Sequence, residues 1–481
     1  MKGHAKAFGL DFFETIFEVI TFDEMNMVAS YGGFPSRYPH WKFGMEYERL
    51  AKSYEYGLSR IYEMVINNDP CYAYLLESNQ DVSQKMVMAH VYAHCDFFKN
   101  NFTFSHTNRK MMDEMANHGT RVRKYMDKFG VEVVELFIDR VLSIDNLIDI
   151  HSPFIVRKKP RSEEEEQKRP AVRELPTDKE YMRNFINPKE YMDAQRAKIE
   201  KDFKKAKRFP EHPERDVMAF LMEHAPLERW QRDLIDMLRE EAYYFAPQRM
   251  TKIMNEGWAT YWHAKMMTEK ACKPEEIIDF ADQHSGVVAV NGNQLNPYKI
   301  GLELYRNIEE RWDKGRFGKE YDDCDDLAER RRWDKSLGLG RQKIFEVRKY
   351  YNDVTFIDEF LTLDFVREAK LFSFGYNKKR ARFEISSREF KEVKDKMLQQ
   401  LTNFGQPVIA VLDANHENRG ELLLRHTHDA VDLDPEYTRA TLSAIQHIWN
   451  RPVHVLTKTE GKGVMYGFDG KDHSERSAEY A

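Results

Sequence analysis

The chain has 481 residues, long enough for two or three domains, and its 42% hydrophobic and 32% charged residues suit a folded, water-soluble protein. A formal net charge of -6 is mild, so composition gives no electrostatic reason to expect nucleic acid or an anionic membrane as the main partner. No apolar run approaches the roughly 18 residues of a membrane-spanning helix. The first residues carry no apolar leader, and the four cysteines (Cys71, Cys95, Cys272, Cys324) form no Cys-x-x-Cys pair. The expected location is the cytoplasm, with the thiols reduced.

In chain order, residues 12–27 carry apolar side chains at roughly helical spacing, broken by Asp23-Glu24. Residues 29–41 are dense in Gly, Pro and aromatic side chains and read as a loop pinned to the protein. Residues 43–67 return to a helical pattern through Tyr47, Leu50, Tyr54, Leu58 and Ile61, stopped by Asp69-Pro70. A short apolar run at 73–77 precedes a long helix that opens at Asp81, carries His90 and His94, and ends near Lys99. Two further helices are expected over 107–125 and 131–147, separated by Gly130.

Residues 157–180 form a charged run with almost nothing to bury, expected as an exposed linker or insertion. Helical patterns resume after Pro188, at 216–224 and at 227–245, and Pro247 precedes the helix of Glu256 and His263. Residues 285–293 read as a loop, and Asn296-Pro297 opens a helix through Trp312. The acidic cluster at 322–326 lacks the glycine of a calcium-binding loop.

The last part has a different grammar. Strands are expected at 381–385, 408–412, 421–426 and 453–457, with helices at 387–401 and 436–449, the latter opened by Asp434-Pro435. That order, strand-helix-strand-strand-helix-strand, is the split βαβ of a ferredoxin-like unit. The expected fold is therefore mainly α: a large helical N-terminal domain over 1–335, an α+β ferredoxin-like C-terminal module over 336–460, and a mobile tail over 461–481.

Two histidines four apart on a helix share one face and can reach a single metal ion, as His90 and His94 would. Glu256 and His263, seven apart, also share a helical face. The segment Glu256-Gly257-Trp258-Ala259 resembles one in some helical metallopeptidase-like families whose glutamate is the third ligand, and that resemblance implies His90, His94 and Glu256 as ligands of a divalent ion, zinc first and iron or manganese as alternatives, in a zincin-like helical pocket. The position that holds the catalytic glutamate in His-Glu-x-x-His is Val91, which cannot move a proton. A general base must then come from elsewhere, with Glu46, Glu77 and Glu241 as candidates. His263 is a candidate fourth ligand, outer partner or transition-state stabiliser. The bland reading makes all of these core histidines, and Trp258, Tyr261 and Trp262 simple packing. His106, His118, His151 and His284 are expected as hydrogen-bonded or capping residues, and the His426-x-His428 pair as a polar strand edge. No phosphate-binding glycine loop and no Gly-x-Ser-x-Gly elbow occurs.

The stretches Tyr38-Pro39-His40-Trp41-Lys42-Phe43-Gly44-Met45-Glu46, Ala89-His90-Val91-Tyr92-Ala93-His94, Met115-Ala116-Asn117-His118 and Asn255-Glu256-Gly257-Trp258-Ala259 resemble the SpoVR family, stage V sporulation protein R. Pro226-Leu227-Glu228-Arg229-Trp230, Asn296-Pro297-Tyr298-Lys299 and Trp449-Asn450-Arg451-Pro452-Val453 fit it too, so the resemblance covers nearly the whole chain. It implies a bacterial cytosolic protein of spore cortex formation or a related stress response, since members also occur in bacteria that make no spores. It further implies a pathway shared with a PrkA-type kinase and a von Willebrand A-type protein. The family name fixes no reaction, so two readings stand. One is a zincin-like metallohydrolase acting on a peptide or amide bond. The other is a non-catalytic regulatory or assembly protein, with homo-oligomerisation left open.

Overall fold

The computed structural model describes residues 1–55, 63–155, 175, 187–206, 209–289, 295–377, 380 and 382–480. Most of the charged run at 157–180 lies outside the described residues. The chain forms two compact units, one from residues 1–135 with 243–406, the other from 136–242 with 407–481. Sequence had put the division at 335/336. Among the described residues, no helix is long and apolar enough to cross a membrane.

The first unit is mainly helical. It opens with a three-stranded sheet of β1 (Thr15–Ile20), β2 (Glu63–Ile66) and β3 (Cys71–Leu76), in the order β1-β3-β2. β1 runs parallel to β3, pairing Thr15 with Cys71 and Ile20 with Leu76. Residues 15–20 were expected within a helical pattern. Their run Thr-Ile-Phe-Glu-Val-Ile is β-branched and aromatic, and such side chains fit a pleated surface. The helix expected through residue 67 is Trp41–Glu55, and β2 occupies its last part.

Against this sheet lies α1 (Asp81–Asn100), buried along nearly its whole length from Val82 to Phe98. α2 (Lys252–Met266) is buried in the same way. α3 (Ile277–Val287) extends into residues expected to be loop, and α4 (Pro297–Asp313) starts on Asn296, whose side chain accepts from the Tyr298 and Lys299 amides. α5 (Gly340–Tyr350) and α6 (Asp353–Phe360) complete the core. Trp258, Trp262, Tyr305, Phe97 and Phe356 are among its fully buried side chains. Pro247, expected between two helices, lies inside the helix Arg229–Met250, and the break comes at Thr251.

β4 (Ser373–Asn377) and β5 (Arg382–Ser387) pair as a separate two-stranded sheet in the first unit. The second unit carries a five-stranded sheet of β6 (Val408–His416), β7 (Glu421–Thr427), β8 (Val453–Thr459), β9 (Lys462–Phe468) and β10 (His473–Ser477), ordered β10-β9-β8-β7-β6. β7 and β8 are parallel and are joined by α7 (Pro435–Trp449); the other pairs are antiparallel. α7 begins as its sequence dictates, with Asp434 accepting from the Glu436 and Tyr437 amides and Pro435 in the first turn.

This topology departs from the expected ferredoxin-like order. Its first strand and helix, β5 and Phe390–Leu401, belong to the other unit, and the tail expected to be mobile supplies β9 and β10. The glycines that made the tail look loose have specific work. Gly461 turns the β8–β9 hairpin at φ +79°, and a Cβ on Gly467 would fall 2.6 Å from His454 Nδ1.

Candidate metal centre

Four contacts set α2 in place before any ligand is considered. At its start, Asp353 on α6 accepts from the Ile253 and Met254 amides at 2.8 and 2.9 Å. These are amides that a helix start leaves without partners. One turn on, α2 meets α4 with backbones almost touching: a Cβ on Gly257 would lie 2.4 Å from Gly301 Cα, and one on Gly301 would lie 2.3 Å from the Ile253 carbonyl oxygen. Trp258 Nε1 donates to Asp96 Oδ2 of α1 at 2.9 Å, and Arg348 of α5 reaches the same oxygen at 2.7 Å. Burial pushes the Asp96 carboxyl up to about 6, and Arg348 opposes that shift, keeping a charged pair at neutral pH.

So placed, α1 and α2 turn His90, His94 and Glu256 toward one another. One ligand atom from each lies within 4.8 Å of the others, and all three residues are buried. Glu256 Oε2 is 3.3 Å from His90 Nε2 and 3.5 Å from His94 Nε2. Ligands about 2.0–2.1 Å from a tetrahedral ion stand about 3.3–3.4 Å apart, so both separations suit donors of one small cation.

The far side of each imidazole is also engaged. His94 Nδ1 is 2.9 Å from Asn255 Oδ1, an acceptor, so that nitrogen carries the hydrogen and a neutral His94 keeps its Nε2 lone pair toward Glu256. His90 Nδ1 is 2.9 Å from His263 Nδ1. The arrangement, Nε2 inward and Nδ1 tied outward, is the one outer partners impose on metal-binding histidines. Burial above all pushes the His90 imidazole down to about 4 and keeps it neutral. Burial alone would raise the Glu256 carboxyl, but the neighbouring His94 and His90 imidazoles and the Lys252 ammonium hold it well below the usual carboxylate range. Lys252 Nζ, more than half exposed, reaches Glu256 Oε1 at 2.6 Å, which leaves Oε2 as the oxygen facing the histidines.

The remaining expected site residues lie elsewhere. Glu46 is partly exposed on the helix Trp41–Glu55 and is ion-paired with Arg49. Glu77 is exposed just after β3, with its amide on the Ile20 carbonyl. Glu241 is buried on the helix Arg229–Met250, in the second unit. His263 is fully enclosed behind His90 rather than beside Glu256. Val91 is buried in the apolar core, on another side of α1 from the ligands. His426 and His428 have separate partners, Thr457 and Asp432, and His426 is buried on the interior strand β7 rather than on the polar strand edge expected.

Sequence reasoning missed Lys252, Asn255 as a partner, Tyr298 and His284. Lys252 is one turn before Glu256, a spacing that places it on the same face. Asn255 carried no signal beyond adjacency. Tyr298 stacks on His90, with ring centroids 6.0 Å apart and planes 21° from parallel, and no sequence feature announces that contact.

The chain matches the family described as SpoVR like protein over residues 1–406 and the SpoVR-like C-terminal domain over residues 407–460. It is 30% identical over 488 residues to "Uncharacterized protein YcgB" of Escherichia coli (strain K12), with 95% of this chain and 90% of that protein covered. No solved structure matches it.

Proposed function

The chain belongs to the SpoVR family, and within it we propose a metal-dependent hydrolase whose divalent ion is held by His90, His94 and Glu256. The observation that carries this reading is the convergence of two Nε2 atoms on Glu256 Oε2, with Asn255 and His263 holding the opposite nitrogens. Three protein donors leave a fourth position open, which is the donor count of catalytic rather than structural zinc sites. When bound, such an ion supplies Lewis acidity, polarising a carbonyl and activating water at neutral pH. Zinc is the first choice for two imidazoles and one carboxylate, with iron and manganese as alternatives.

The chain's own residues would do the rest. Lys252 neutralises Glu256 and holds its Oε1, and Tyr298 packs against the face of His90. Val91 fills the usual base position, and Glu46, Glu77 and Glu241 lie away from the three ligands, so none of them is assigned as the proton acceptor. The bond cut is proposed to be a peptide or amide bond, in a sporulation or stress-response setting. Metal-stripped protein reloaded with zinc, manganese or iron should cleave a quenched peptide library, and the Glu256→Gln variant should not. Cleavage retained in Glu256→Gln would end the hydrolase reading.

A second reading is a docking or assembly protein working with a PrkA-type kinase and a von Willebrand A-type partner. It is favoured by β10, an edge strand whose five residues are all exposed and open to pairing. Truncation after Phe468 should abolish capture of those partners; unchanged capture would remove this reading.

A further inference from the structure

Behind His90 the hydrogen bonding does not stop at His263. His263 Nε2 lies 2.9 Å from His284 Nδ1, so three imidazoles form one file from Glu256 outward: His90, His263, His284. His263 is fully buried and uses both ring nitrogens in the file, while His284 on α3 is half-buried. α3 is tied to α1 independently of the histidines. Lys85 Nζ contacts both Glu276 oxygens at 2.7 Å at the base of α3, and Ser83 Oγ donates to Gln283 Oε1 at 2.9 Å. Phe280 stacks on His284 at 5.7 Å and meets His263 edge-on at 6.4 Å, which fixes both ring planes.

A neutral imidazole has one N–H and one lone pair, so a file of three has only two self-consistent orders of hydrogens. In one order His90 carries its hydrogen on Nε2 and spends it on Glu256. In the other His90 donates from Nδ1 to His263 Nδ1, His263 donates from Nε2 to His284 Nδ1, and His90 Nε2 is left as a bare lone pair. Only the second order makes His90 a metal ligand.

We propose that His263 and His284 are positioning residues of the metal centre: together they accept the His90 Nδ1 hydrogen, select its ligand tautomer, and anchor that choice to α3. This rests on the metal reading of His90, His94 and Glu256 and extends it by two residues that touch neither ion nor substrate. Loss of outer partners of this kind costs 10–100-fold in metal affinity. An asparagine at 284 keeps an acceptor oxygen near the place of Nδ1, whereas valine keeps only bulk.

The test is a zinc competition titration on the full chain with a chromophoric chelator, comparing wild type, His263→Leu, His284→Val and His284→Asn at matched helicity. The expected result is a 10–100-fold weaker zinc affinity for His263→Leu and His284→Val, with His284→Asn within about threefold of wild type. Ring-nitrogen NMR of histidine-labelled, zinc-loaded wild type should show both His263 and His284 hydrogenated at Nε2. Wild-type affinity in His284→Val, or an Nδ1 hydrogen on His284 in the zinc form, would overturn the proposal while leaving the ligand set intact. No zinc bound by wild type would instead overturn the metal reading beneath it.

Discussion

Gly257 shows how one residue of a recognisable motif can serve geometry rather than chemistry. Its missing side chain lets α2 approach the backbone of α4 at Gly301, and that approach sets where Glu256, its neighbour, projects. A methyl group there has only backbone to push against, so Gly257→Ala should destabilise the protein by about 1–3 kcal/mol in urea unfolding, the usual cost of overpacking. Gly44, exposed on the helix Trp41–Glu55 with nothing within 4 Å of its missing Cβ, is the control. Gly44→Ala should be neutral or stabilising by up to about 1 kcal/mol, from helix propensity. Equal effects at both positions would contradict the close-crossing account. The ligand residues themselves were legible, because helical spacing puts His90 beside His94 whatever the fold. What spacing cannot carry is the other side of each ring. Asn255 and Tyr298 meet the α1 histidines through packing between helices more than 150 residues apart in sequence, and His284 joins through His263, 21 residues before it.

At the scale of elements, the pairing of α1 with α2 rests on Asp96, which takes hydrogen bonds from the Asp11 amide, Trp258 and Arg348. Replacing it by Asn keeps the shape but leaves the buried Arg348 guanidinium without its counter-charge. Asp96→Asn should therefore cost about 3–5 kcal/mol by chemical denaturation, the range for a broken buried ion pair. A loss below 1 kcal/mol would mean the pair is not what joins these helices. In the second unit, Glu421 is bound by Arg419 and by His454 Nε2 at 2.7 Å, and Arg419 holds its carboxyl down to about 2, against an ordinary value of 4.5. A depressed carboxyl contributes stability that is fully present above the unfolded value and is lost as pH falls toward the folded one. The stability gap between wild type and Glu421→Gln should therefore shrink as pH drops from 5 to 3, followed by the urea midpoint. A gap that widens would reverse the assignment. Helices were read well from sequence because their periodicity is long. Strands failed where burial on both sides hid alternation, as in β3, or where glycine imitated a loop, as in β9.

For the whole molecule, the mainly helical character was visible in the sequence, but the two-unit division was not. Each unit is assembled from two distant stretches of chain, and composition changes such as the charged run at 157–180 report solvation rather than which stretches fold together. The first unit buries the candidate centre, with His90, His94 and Glu256 at 4, 5 and 7% exposure. Lys252 offsets the Glu256 charge at Oε1, and a metal cation would offset it at Oε2, where two imidazole nitrogens converge. The most direct measurement is the metal content of tag-free protein, beside a His90→Ala/His94→Ala variant of equal helicity. The account predicts close to one zinc, iron or manganese per wild-type chain and almost none in the variant. Metal-free wild type that stays empty after reconstitution, or equal metal in both proteins, would contradict it.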